Sequence, residues 1–122
     1  MSNRVMYFEI PSAAPDKNMK FFEKVFGWKF KQYGGEQYWF ATSGDEKSPG
    51  INGAVMKEIS TKQPVINTIS VIDINKAIKD IENAGGRIVK SKKAIPSTGW
   101  LAFFSDPDEN IYGIMQEDEN AR

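Results

Sequence analysis

Residues 99–116, GWLAFFSDPDENIYGIMQ, decide the fold. Residues 100–104 are apolar and aromatic, the composition of a buried strand. Asp106, Pro107, Asp108, Glu109 and Asn110 supply turn chemistry: proline presets φ, and Asp and Asn side chains bond the nearby backbone. Residues 111–116 resume as an apolar strand that ends on a polar residue, Gln116. The stretch predicts a hairpin, with Gln116 at the mouth of a cleft.

Working back from this hairpin, residues 87–90 read as a strand, and Lys92, Lys93, Pro96, Ser97 and Gly99 as a solvated loop. Asp73 is a good N-cap for a helix over 74–84, with Ile74, Ala77, Ile78 and Ile81 on one face. Gly85-Gly86 stops it, and residues 65–71 form the strand before it. Residues 60–64 read as a linker. The same order precedes it. A strand over 5–10 is closed by Pro11, and a helix over 15–26 starts at Pro15 with Asp16 in its first turn. Met19, Phe22, Val25 and Phe26 give that helix one apolar face, and Gly27 ends it. Strands follow over 28–33, 37–42 and 51–58, with Gly34-Gly35 as a turn and 43–50 as a loop.

The pattern is βαβββ, twice. Gly27 matches Gly86 at an offset of 59, as Met19 and Phe22 match Ile78 and Ile81. Gly53 matches Gly113 at 60. One such module cannot cover both faces of its sheet. The expectation is a single α+β domain over 1–122, with modules at about 4–58 and 64–117, a curved mixed sheet, helices outside and a concave cleft.

Composition narrows the chemistry. Lys plus Arg equals Asp plus Glu at 16 each, which gives no field for nucleic acid or an anionic membrane. No apolar run has the length of a membrane span, and residues 1–4 lead into a strand without a signal pattern; a cytoplasmic protein is expected. There is no cysteine, hence no disulfide framework or thiolate chemistry. There is no histidine, the commonest general base and metal ligand. The paired glycines lie in no phosphate-binding motif, and no serine sits in a GxSxG elbow. The last residues, 117–122, read as a loosely ordered polar tail.

The chain resembles the vicinal oxygen chelate superfamily, also called the glyoxalase/bleomycin-resistance/dioxygenase family. The residues that carry the resemblance are Phe8-Glu9-Ile10-Pro11 before Pro15-Asp16, residues 21–28 (FFEKVFGW), 50–56 (GINGAVM), 83–86 (NAGG), 99–104 with Asp106-Pro107, and 112–116 (YGIMQ). The family's usual turn is Asp-Pro-Asp-Gly-Asn, so Glu109 implies a turn of adjusted geometry. The resemblance implies a divalent-metal site with one ligand from the first and one from the last strand of each module. Those positions fall on Tyr7, Ile66, Met56 and Gln116, where isoleucine cannot ligate and methionine is a soft donor. No metal and no cofactor is therefore expected, and the family's metal-dependent activities do not transfer.

Strand alternation puts Tyr7 and Glu9 on one face, and likewise Ile66, Thr68 and Ser70, and Tyr112, Ile114 and Gln116. The expected ligand-binding residues are Tyr7, Glu9, Met56, Ile66, Thr68, Trp100 and Gln116, with Glu9 as the candidate catalytic base. Four of them have a plainer alternative: Glu9 solvated or ion-paired, Tyr7 and Met56 in ordinary packing, Gln116 capping the sheet end. Trp39 and Trp100 lie among aromatics of which only half can face a cleft; Trp100 is taken as a cleft wall. Three functions stay open. The first is a homodimeric, metal-free protein that binds a small aromatic or apolar organic ligand. The second is a lyase or isomerase that uses Glu9 as base. The third is a dimeric interaction module with a filled cleft.

Overall fold

A computed structural model describes residues 3–57 and 64–122. The chain divides into two compact units, Tyr7–Val65 and Ile66–Arg122, the second including the first residues up to Met6. Each is α+β, a helix on a mixed four-stranded sheet, as the doubled βαβββ pattern requires.

In the first unit the elements are β1 (Val5–Ser12), α1 (Pro15–Phe26), β2 (Lys29–Gln32), β3 (Tyr38–Thr42) and β4 (Gly53–Lys57). The sheet runs β2-β3-β4-β1. β1 pairs with β4 in parallel, and the other pairs are antiparallel. Parallel neighbours need a long crossover, and α1 begins it. Pro15 occupies the start of α1 and is buried. Gly27 ends the helix at φ 71, its N–H donating to the Glu23 carbonyl (3.0 Å) while the Trp28 N–H reaches the Phe22 carbonyl (3.4 Å). Phe22 stacks on Trp28 at 4.5 Å, and Trp28 meets Phe8 at 5.6 Å, so Phe8 marks the helix-bearing face. Gly53 pairs with Phe8, and any side chain there would run into the Phe8 ring. Pro11 does not end β1, which continues to Ser12 because Pro11 still faces Met56 in the parallel register.

In the second unit the elements are β5 (Ile66–Ser70), α2 (Ile74–Asn83), β6 (Arg87–Ile95), β7 (Gly99–Ser105) and β8 (Ile111–Glu117). The sheet runs β5-β8-β7-β6, with β5 and β8 parallel. The side chain of Asp73 accepts from the Lys76 N–H at 3.1 Å, the expected N-cap. Val71, Ile74, Ala102 and Ile114 form the core, with Ile78, Ile81 and Phe104 packed against it. Asn3 and Arg4 belong here through backbone bonds with Ser70.

Three further expectations are corrected. Lys92 and Lys93 lie within β6, not a loop; the strand keeps pairing with β7 through register shifts after Ile88 and Lys90. The tail is folded: Ala121 is buried, its carbonyl accepts from the Ser97 N–H, and the Asp118 N–H donates to the Thr98 carbonyl. The turn after β7 keeps its glycine-type geometry, with Glu109 itself at φ 67. The turn can hold this because Asp106 accepts from the Asp108 and Asn110 N–H groups and the Asn110 amide. Residues 58–63, where the linker and the end of the fourth strand are expected, lie outside the described residues.

Candidate functional site

Pairing fixes which side chains share a face. In the first unit Glu9 pairs with Ala54, Ala54 with Phe40, and Met56 with Tyr38. These residues and Tyr7 face away from α1, because Phe8 and Gly53 face toward it. Tyr7, Glu9 and Met56 are therefore brought onto one helix-free face, as alternation along β1 predicts for Tyr7 and Glu9.

Glu9 is the centre of that face. It is fully buried, with 0% exposure. Its Oε2 accepts the Tyr38 hydroxyl at 2.7 Å. Its Oε1 is buried and has no hydrogen-bond partner among the described residues. β4 lies between β1 and β3, so the Tyr38 phenol must span that strand to reach Glu9, passing over a strand whose residue opposite Glu9 is the small Ala54. Burial pushes the Glu9 carboxyl above the ordinary carboxylate range, and the Tyr38 bond only partly opposes it. Burial also pushes the Tyr38 phenol up, reinforced by Glu9 and by Tyr7 beside it. Tyr33, Tyr38 and Phe40 pack edge to face, with ring centroids 5.6–6.5 Å apart.

Sequence reasoning left Tyr38 among undecided aromatics. The pairing decides it: with Ala41 buried and opposite Gly53, alternation along β3 sends Tyr38 and Phe40 to the other face.

In the second unit Ile66 and Thr68 face away from α2, since Ile69 packs into the helix-side core. Both are fully buried. The Thr68 Oγ1 has no partner among the described residues, and it stands opposite Gly113, where an added Cβ would lie 2.8 Å from it.

Gln116 and Trp100 go the other way, and the expectation that Gln116 shares a face with Thr68 is corrected. Trp100 packs against the α2 core, pairs with Gln116, and so turns both toward the helix. The Gln116 Oε1 accepts the Ile74 N–H at 2.9 Å, satisfying a first-turn donor of α2. The Trp100 indole donates to Asp118 at 3.0 Å, and the Lys92 ammonium lies 4.9 Å from the ring centroid. The cause is a one-residue slip. Glu9 pairs with Ala54 and Thr68 with Gly113, so the offset stays at 59 through the last strands and Met56 corresponds to Met115, not Gln116. A slip of one residue reverses every side chain on a strand.

A family model described as Glyoxalase/Bleomycin resistance protein/Dioxygenase superfamily matches residues 4–112. The chain belongs to that superfamily. Among solved structures it is similar to a superfamily member from Vibrio splendidus 12B01, at 18% identity and TM-score 0.65 over 94% of this chain and 98% of that one. It is also similar to a hypothetical protein of Bacillus halodurans C-125, at 13% identity and TM-score 0.68 over 100% and 99%. A third is methylmalonyl-CoA epimerase from Mycobacterium tuberculosis, at 12% identity and TM-score 0.63 over 96% and 89%. At these identities the likeness is one of fold. A search of curated protein sequences returns no match.

The residues at the family's metal positions do not fit a divalent ion. Ile66 has no donor atom, Met56 and its register counterpart Met115 offer soft thioethers, and Gln116 faces the helix with its oxygen engaged by the Ile74 N–H. Among the described residues no group of three His, Cys, Asp or Glu side chains comes together. Among them, too, no helix is long and apolar enough to cross a membrane.

Proposed function

We propose that this superfamily member binds a small aromatic or apolar organic molecule, without a metal, on the helix-free face of its Tyr7–Val65 unit. The carrying observation is Glu9: a buried carboxyl with one oxygen tied to Tyr38 and the other without a partner among the described residues. A buried polar atom left unsatisfied costs roughly 1–3 kcal/mol, and a ligand that meets it recovers that cost. Tyr7, Met56, Tyr38 and Phe40 share its face of the sheet and give it the mostly apolar composition with few polar anchors of a small-molecule site. Trp100 and Gln116 are left out, because they serve α2.

The test is a ligand-observed NMR screen of small planar organic molecules against the whole protein. Binders are expected to lose their signal with Glu9→Ala and with Tyr38→Ala. A screen without a binder, or binders indifferent to both substitutions, overturns the reading. The reading includes a homodimer, supported by the exposed Phe21, Val25 and Phe26 of α1. Sedimentation of a single monomeric species at micromolar concentration would refute that part.

A further inference from the structure

Glu9 carries more information than the existence of a site. A buried carboxyl can offer its free oxygen in two ways. As carboxylate it accepts from an ammonium or N–H; as carboxylic acid it donates to a carbonyl. We infer that the molecule recognised by Glu9 is neutral and planar and presents a hydrogen-bond acceptor, such as an aromatic ketone or amide, to Oε1. The inference rests on the ligand-binding reading above and specifies its ligand.

The surroundings select the acid form. The one side-chain hydrogen bond that the Glu9 carboxyl receives among the described residues comes from a neutral phenol. The titratable side chains facing it there are Tyr38 from β3 and Tyr7 from β1 itself, with Tyr33 packed behind Tyr38; none is a cation. The one ion pair among the described residues, Lys76–Asp80, is in the other unit. Ala54 and Met56 from β4 add only apolar surface. A carboxylate desolvated in such a place without a counter-ion is strongly disfavoured, and burial accordingly raises the proton affinity of Glu9. With Oε2 accepting from Tyr38, the proton belongs on Oε1, where it is a donor aimed at an uncharged acceptor. A cationic ligand would first have to expel that proton, and the resulting buried ion pair gains little over its desolvation cost. An anionic ligand would meet no positive charge.

Three probes of similar size separate the classes: acetophenone (neutral acceptor), benzylamine (cation) and benzoate (anion), titrated by ligand-observed NMR between about pH 5 and pH 9. Acetophenone is expected to bind best, and its affinity to fall as pH rises, because ionisation removes the donor. Glu9→Gln should keep acetophenone within a few-fold and abolish the pH dependence, its amide donating where the acid did and its carbonyl accepting from Tyr38. Glu9→Ala should weaken it about tenfold. Circular dichroism confirms that each variant is folded, and retention by Glu9→Gln separates loss of the donor from loss of the fold. Preference for benzylamine, or affinity that rises with pH, overturns the neutral-acceptor inference while leaving the ligand-binding reading intact. Silence from all three probes overturns the inference, and the broader screen then judges the parent reading independently.

Discussion

Glu9 and Thr68 hold the same place in the two units. Each lies on the strand that pairs in parallel with its unit's last strand, faces away from the helix, and stands opposite a small residue, Ala54 or Gly113. Each is fully buried with an oxygen that has no partner among the described residues. The difference is chemical. A threonine hydroxyl stays neutral at every accessible pH, whereas a carboxyl can donate or accept according to its proton. The helices differ in parallel. α2 sets Ile74, Ile78 and Ile81 into a packed core, while α1 rests on the Phe22–Trp28–Phe8 stack and leaves Phe21, Val25 and Phe26 exposed. The second unit spends its side chains on stability; the first holds the titratable group and the open apolar surface.

The largest expected effect tests the helices. Ile74→Ala should destabilise the protein by about 2–5 kcal/mol in urea denaturation, because Ile74 is 1% exposed at the centre of the core. Phe26→Ala, at a residue 61% exposed in the single chain, should stay within about 0.5 kcal/mol when measured at a dilution where the protein is monomeric. Equal costs at that dilution would break the contrast, whereas a Phe26→Ala cost that appears only at higher protein concentration would be that of the proposed homodimer.

The next effect tests Glu9 against Thr68. A carboxyl whose pKa is raised by folding holds its proton longer in the native state than in the unfolded chain. Between its unfolded value and its raised folded value the native state binds more protons, so stability falls as pH rises through that window. Glu9→Gln should flatten that part of the profile. Its unfolding free energy, read from urea denaturation, should overtake wild type increasingly as pH rises through that window, by an amount on the order of 1–3 kcal/mol. Thr68→Val should shift stability equally at all pH values. A wild-type profile with no such decline, or one that Thr68→Val flattens as well, would erase the distinction.

Smaller is the effect of Gln116. Gln116→Ala removes the acceptor of the Ile74 N–H and should cost about 1 kcal/mol. Gln116→Glu should recover most of it, since a carboxylate suits a helix N-terminus. A loss of ligand binding in a folded Gln116→Ala protein, without loss of stability, would return Gln116 to the site.

The element order was legible because it rests on short-range signals. Pro15 and Gly27 bound α1, Asp73 caps α2, and strong apolar periodicity separates helix from strand. Tyr7 and Glu9 were legible as one face because alternation along a strand is local; Met56 was named through the family resemblance, and the pairing of β4 with β1 is what puts it on that face. The misreading of Gln116 and Trp100 came from a long-range quantity. Matching Gly53 to Gly113 puts the last strands one residue out of step, and the register Glu9–Ala54 and Thr68–Gly113 that corrects it exists only once strands pair. Tyr38 was missed for the same reason, since its bond to Glu9 crosses an intervening strand. β6 was read short because lysines look solvated in either state; as the end strand of its unit's sheet, it keeps pairing while exposing them.

The hairpin turns extend the comparison to its smallest effect. The β3–β4 connection is a long polar loop containing Gly50 at φ 146, while β7 and β8 are joined by the tight Asp106–Asn110 turn with Glu109 at φ 67. Glycine relieves the strain at that left-handed position but adds freedom to the unfolded chain, so the two contributions oppose each other. A non-glycine residue held there costs on the order of 1–3 kcal/mol, and glycine returns about 0.4–1 kcal/mol of it as unfolded-state entropy. Glu109→Gly should therefore stabilise the protein by roughly 1 kcal/mol, the difference between the middles of those two ranges, read as a higher urea midpoint at unchanged slope. The Asp106 bonds to Asp108 and Asn110 are untouched by the substitution, so the turn keeps its shape. A neutral or destabilising result would mean that the Asp106 network already holds the residue without strain, and that the second unit's rigidity begins at this turn rather than in the α2 core.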